Sequence, residues 1–346
     1  MSLTGEQHIS KTINLLRFPL MLLVVCMHFS GGGDNTTLLY CNLMQFGLIY
    51  FSTAVPIYFA ISGYLFWKGN DLFQYKNKIQ KRVYSLIIPY LLWNLLFIVA
   101  YCLLNMNFSF QTLYGFVNIN ANTFNDFMVS VFTGKGMPAN YPLWYLRDLI
   151  VCSLLSPLLY LGGKRLPWVT LILLFIGWCL TEGANGRTYL TGLCWFALGM
   201  AVKVHNVNIT VLKSYCLPLC VISLILALLM PGVYLKLITS YSFYHVLLTI
   251  HIAAVLSLSF WVTASTEIQV PKLLSESTFW IYVSHAFVQL AILKMEGYIG
   301  LPMTDAILIM LFVVNVSIVT AFCVMTYFIF KKYIPQLTSL LTGNRI

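Results

Sequence analysis

The chain has 346 residues, 60% of them hydrophobic and only 9% charged, where a soluble domain carries about 25% charged residues. That balance excludes a soluble enzyme and predicts a polytopic membrane protein, all-α because a helix satisfies its own backbone in lipid. The net charge of +10 is no sign of nucleic-acid binding, since the basic residues of a membrane protein gather in its cytoplasmic loops.

Ten apolar segments can be marked in chain order, at roughly 13–30, 44–67, 83–104, 141–161, 167–181, 188–203, 214–231, 243–263, 278–295 and 303–330. No polar stretch between them is long enough to fold alone, so residues 1–346 are expected to form one membrane domain. With the N-terminus in the cytoplasm and the segments alternating, fourteen Lys and Arg fall inside and four outside. The inner set includes Lys11, Lys68, Lys76, Lys78, Lys81, Arg82, Lys203, Lys272, Lys331 and Lys332; the outer set is Lys135, Arg187, Lys236 and Lys294. This skew predicts ten helices with both ends cytoplasmic. The first segment lacks a small-residue cleavage site and reads as a retained helix, not a signal peptide.

Segment one, Asn14 to Ser30, carries Arg17 and His28. Ionisable residues inside a span are expensive and are functional candidates by default. At 100° per residue, eleven steps bring both side chains to nearly the same face, about 16 Å apart along the axis. His28 is suited to act as a general base near neutral pH, and Arg17 to hold an anion or a carbonyl. A capping histidine and a snorkelling arginine would be the inert alternative.

Segment two holds Pro56 and the Ser62-Gly63 pair, which invite a kink or a close helix approach. The inner stretch 68–82 that follows mixes basic and apolar residues, with Lys78, Lys81 and Arg82 near its end. That mix beside the membrane suggests an interfacial helix, and the cluster suits either a topology-setting inner stretch or a site for the phosphates of a cytosolic cofactor. The outer loop 105–140 is rich in asparagine and aromatics, which suits a carbohydrate and equally an ordinary interfacial loop. Segment four opens with Trp144, Arg147 and Asp148. Adjacent helical residues point about 100° apart, so Arg147 and Asp148 are expected to seek separate partners across the bundle. His285 sits in the ninth segment; His245 and His251, in the eighth, read as packing residues.

The nine cysteines mostly lie in apolar runs and form no CxxC pair, so neither a disulfide nor a metal site is expected. There is no Gly-rich phosphate loop, GxSxG elbow or HExxH motif.

Taken together, the motifs resemble the acyltransferase 3 family of integral-membrane acyltransferases. They are Arg17-x10-His28, the FxxSG-like Phe59-Ala-Ile-Ser62-Gly63-Tyr64-Leu65, Lys81-Arg82 leading to Ile88-Pro89-Tyr90, Pro142-Leu-Trp144-Tyr-Leu, and Ile281-Tyr-Val-Ser-His285. They occur in family order over most of the chain. The resemblance implies transfer of an acyl group, often acetyl, from cytosolic acyl-coenzyme A to a sugar hydroxyl. The acceptor would be a bacterial surface glycan or its lipid-linked precursor, and the enzyme would lie in the plasma (inner) membrane among its lipids. It implies His28 as the essential histidine with Arg17 as its partner, and a basic donor site mapping to Lys78, Lys81 and Arg82. Ser62, Trp144, Arg147, Asp148 and His285 are candidate substrate contacts. No metal is implied, and a homodimer is compatible with it. Asn14 departs from the family, many members of which carry an acid three residues before the arginine. The rival readings are a transporter or flippase of a lipid-linked sugar, and a structural or sensor membrane protein in which the polar residues only specify packing.

Overall fold

A computed structural model describes residues 5–29, 38–67, 75–105, 138–181, 184–234, 241–300, 302 and 304–344. Among them there are helices and turns and no strand. In chain order the helices are α1 Gly5–Phe29, α2 Leu38–Phe51, α3 Ala54–Phe66, α4 Tyr75–Arg82, α5 Ile88–Asn105, α6 Trp144–Arg165 and α7 Pro167–Leu180. They continue with α8 Ala184–Val204, α9 Cys216–Tyr234, α10 Tyr241–Ser265, α11 Lys272–Ile299, α12 Asp305–Tyr333 and α13 Pro335–Thr342. Eight stretches are long and apolar enough to cross a membrane, and Pro167–Leu180 and Tyr189–Val204 are shorter apolar helices. Each of the ten segments marked in the sequence overlaps one of these. The protein is a multi-pass integral-membrane helix bundle.

The outer helices leave large side chains uncovered, among them Trp168 on α7, Leu217 on α9 and Met325 on α12. In water such faces would be aggregation sites, and in a bilayer they meet lipid. α1 is the central helix. It packs against α2, α3, α10, α11 and α12, and buries Leu16, Leu20, Met21, Val24 and Val25.

Two breaks in the helices and one close helix contact follow from prolines and glycines. Segment two is broken at Ser52-Thr53, where Thr53 Oγ1 donates to the Tyr50 carbonyl at 2.6 Å. Pro56 lacks the N–H that would bond the Ser52 carbonyl, and its ring would crowd that oxygen. Gly63 lies so close to α8 that a Cβ there would sit 2.0 Å from the Phe196 carbonyl oxygen, and one at Gly199 would sit 1.9 Å from that of Ala60. The expected close helix approach is therefore a backbone contact between α3 and α8. Finally, α4 runs into α5 through a π turn, Val83–Ile87. Pro89 would clash with the Ser85 carbonyl in an unbroken α-helix, and the extra residue of the π turn relieves this.

The inner stretch is helical where it is described, as its mix of basic and apolar residues suggests, but it runs on into the third span. Residues 75–82 are helical and form the opening turns of the third span; residues 68–74 lie outside the described set. Residues 106–137, most of the outer loop, also lie outside it.

Ion pairs join helix ends that the charge pattern assigns to one side. Lys11 pairs with Glu267 at 3.3 Å, Lys203 with Glu6, and Lys331 with Glu276 at 2.7 Å. At the same end His8 is buried, its ring nitrogen donating to the Phe260 carbonyl at 3.1 Å.

Candidate active site

Arg17 and His28 face one cavity of about 430 Å³. Its wall also takes Tyr58 and Ser62 from α3, Arg82 from α4, Trp144 and Tyr145 from α6, and Glu276 and Tyr282 from α11. Met21, Val24, Val55, Leu146 and Leu149 supply apolar wall between them. Arg17 is exposed to solvent and His28 is half-buried, so both heads are accessible. Helical arithmetic puts them on one face, and the packing of α3, α6 and α11 around that face makes it a cavity.

Hydrogen bonds fix the wall. Tyr58 donates its hydroxyl to the Arg17 carbonyl at 2.5 Å. Ser62 Oγ and Tyr145 OH lie 3.2 Å apart. Tyr282 OH donates to the Pro142 carbonyl at 2.8 Å and accepts from the Leu146 N–H at 3.3 Å, which ties the start of α6 to α11. The carboxylate of Glu276 is held by Lys331 at 2.7 Å and approached by Lys272 at 3.8 Å. Two ammonium groups thus offset that acid, and Arg17 and Arg82 keep their attraction for an anion.

His28 is held from α11 and from the turn before α6. Gln289 Nε2 donates to the His28 carbonyl at 2.6 Å, filling an acceptor left open near the C-terminus of α1. Tyr141 donates to Gln289 Oε1 at 2.8 Å and sets its ring edge on His28, centroids 5.0 Å apart. The His285 ring stacks on His28 with centroids 5.1 Å apart and planes inclined by 24°.

The basic trio in the α4 region separates. Arg82 lines the cavity, its guanidinium 5.2 Å from the Phe66 ring centroid. Lys78 is half-buried with its ammonium 4.7 Å from the Trp67 ring, and Lys81 is exposed. Neither Lys78 nor Lys81 lines the cavity. Consecutive residues on a helix diverge by about 100°, which parts Lys81 from Arg82.

Arg147 and Asp148 correct the expectation of separate partners. Arg147 Nε donates to Asp148 Oδ1 at 2.9 Å, and both side chains are buried. The arginine side chain is long enough to reach its neighbour's carboxylate, which a rule based on Cβ directions does not anticipate. Its guanidinium also covers the Tyr189 ring at 4.8 Å. The pair stands behind the wall and not in it. Removing one member of a buried pair typically costs about 3–5 kcal/mol, while replacing both by apolar residues is often neutral. Asp148→Ala is therefore expected to reduce the monodisperse fraction in detergent, and Arg147→Met with Asp148→Leu to restore it. Loss of turnover with normal folding in Asp148→Ala would place the pair in the chemistry.

His245 lies against Trp178 with centroids 4.4 Å apart and planes inclined by 31°, and His251 meets Tyr50 edge-on at 5.2 Å, both as packing residues. Among the described residues no group of three or more His, Cys, Asp or Glu gathers to hold a metal. Among the described residues the cysteines form no disulfide, and the Cys216 and Cys220 sulfurs lie 3.9 Å apart.

A multi-pass bundle whose first helix turns an arginine and a histidine into one cavity, beside a second arginine, defines an integral-membrane protein with a polar cavity between its helices. A family model described as Acyltransferase domain matches residues 10–328. The chain belongs to that family, the acyltransferase 3 family of membrane enzymes, as its motifs anticipate. It is also similar to the succinoglycan biosynthesis protein ExoH of Rhizobium meliloti (strain 1021), with 31% identity over 226 residues. That alignment covers 62% of this chain and 59% of the relative, so the chain spans less than two thirds of that protein's length. No solved structure matches the chain.

Proposed function

We propose that the protein is a single-domain O-acyltransferase of the bacterial inner membrane. It moves an acyl group, acetyl in the simplest case, from cytosolic acyl-coenzyme A to a hydroxyl of a surface polysaccharide or its lipid-linked precursor. The observation that carries this reading is that Arg17, His28 and Arg82 share one cavity. A family of acyltransferases supplies the reaction class, and similarity to a protein of succinoglycan biosynthesis supports a glycan acceptor.

In this reading Arg82 and Arg17 bind the donor's anionic and carbonyl oxygens. Their guanidinium forks match phosphate geometry. His28 takes the proton of the acceptor hydroxyl. The oxygen then forms the new C–O bond to the acyl carbon while the C–S bond breaks, and the sulfur leaves with the proton that His28 returns. Trp144, Tyr145 and Tyr58 offer aromatic surface to a sugar ring.

The test uses purified protein in detergent with radiolabelled acetyl-coenzyme A and a glycan fraction from a strain lacking this gene. Saturable donor binding and label in the glycan are expected. No binding by a monodisperse sample would remove the reading and favour a transporter.

A further inference from the structure

Resting on that reading, we propose that His285 is the positioning residue of His28, a neutral imidazole whose bare nitrogen accepts a hydrogen bond from His28 when His28 carries the proton. It fills the place that a carboxylate takes beside many catalytic histidines.

His285 cannot choose its tautomer. Its Nδ1 lies 3.0 Å from the Ile281 carbonyl oxygen and 2.8 Å from that of Tyr282. Carbonyl oxygens only accept, so Nδ1 carries the hydrogen and Nε2 keeps a lone pair. His285 is fully buried, and Nε2 has no hydrogen-bond partner among the described residues. A bare acceptor in a buried place is costly, and an apolar ring would fill the same space without that cost. The ring packed on that side chain is His28, 5.1 Å away.

A neutral histidine has one N–H; a protonated one has two. When His28 takes the acceptor's proton it gains a second N–H, which a neighbouring oxygen or nitrogen lone pair can accept. Rotation about χ2 of His28, a broad torsion, can turn an N–H toward Nε2 of its neighbour. Gln289 and His285 are four residues apart on α11, so one face of that helix holds the His28 carbonyl and meets its ring. The other titratable or charged groups facing this region are Tyr141 from the turn before α6, Tyr145 on α6, Tyr58 on α3, Tyr282 and Glu276 on α11, Arg82 on α4, and Arg17 on α1. Tyr141 already donates its hydroxyl to Gln289. His285 itself is unchanged by a turnover: the proton passes from the acceptor oxygen to His28 and on to the departing sulfur.

The test compares His285→Phe, His285→Met and His285→Gln at equal monodisperse protein, with kcat and donor KM measured separately. Phe and Met keep apolar bulk without an acceptor; Gln returns an oxygen near the Nε2 position. Phe and Met are expected to lose at least tenfold in kcat with donor KM within twofold, and Gln to recover at least threefold over them. Wild-type kcat in whichever of Phe and Met folds, or no recovery in Gln, would reduce His285 to packing and overturn the proposal. His28→Ala in the same series separates the two readings. Full activity there removes His28 as base and this proposal with it, whereas loss there beside full activity in His285→Phe removes only the role of His285.

Discussion

Replacing His28 with alanine is expected to lower kcat for acyl transfer by about a hundred- to ten-thousandfold, the range that a positioned acid–base group supplies. Folded yield should stay near wild type. The ring is half-buried at a cavity wall, not locked in the core, and the Gln289 bond to α1 uses the backbone carbonyl of residue 28, which alanine keeps. Donor binding should also survive, because Arg17 and Arg82 are untouched. The measurement is turnover of labelled acetyl-coenzyme A beside donor binding by calorimetry. Normal turnover would remove His28 from the chemistry. Lost folding with normal turnover per folded molecule would favour the reading in which the polar residues of α1 only specify packing.

The second large effect belongs to Arg82. Hydrogen bonds to charged groups are worth about 1.5–3 kcal/mol, so Arg82→Ala should raise the donor's KM roughly ten- to a hundredfold with little change in kcat. Arg82→Lys should recover only part of this, since an ammonium lacks the planar fork. Lys81→Ala should change KM by less than about twofold, because Lys81 is exposed and outside the cavity wall. Steady-state kinetics on the three variants decide the point. An effect of Lys81→Ala as large as that of Arg82→Ala would move the donor's anionic groups out of the cavity and onto the protein surface.

Much of this arrangement is legible in the order of the amino acids. Hydropathy alone locates every apolar segment, because a span must be apolar over its whole length. The 100° step puts Arg17 and His28 on one face because both lie in one helix, where geometry is local. Pro56 announces the break before α3 for the same reason. Contacts between helices are not legible in this way. The stack of His28 on His285 and the bond from Gln289 join residues more than 250 positions apart in sequence. No periodicity within one segment reports such a pairing, although the spacing of His285 and Gln289 marks a polar face on α11. The Arg147–Asp148 pair escapes a rule of backbone directions because the length of the arginine side chain overrides it. The split of Lys81 from Arg82 follows at once from a helix over 75–82.

The end of the described chain has a bearing on how the protein can be handled. Gly343, with φ at 66°, lies against the π turn so closely that a Cβ would sit 2.7 Å from Ser85 Cα, and Trp93 Nε1 donates to the Leu341 carbonyl at 3.0 Å. The π turn and α5, which follow the helix carrying Arg82, therefore rest on the last turn of α13. A rigid purification handle or fluorescent reporter held against the end of α13 would tug on that turn, and through it on the chain that leads back to Arg82. A flexible spacer, or a handle at the opposite terminus, leaves this seat undisturbed.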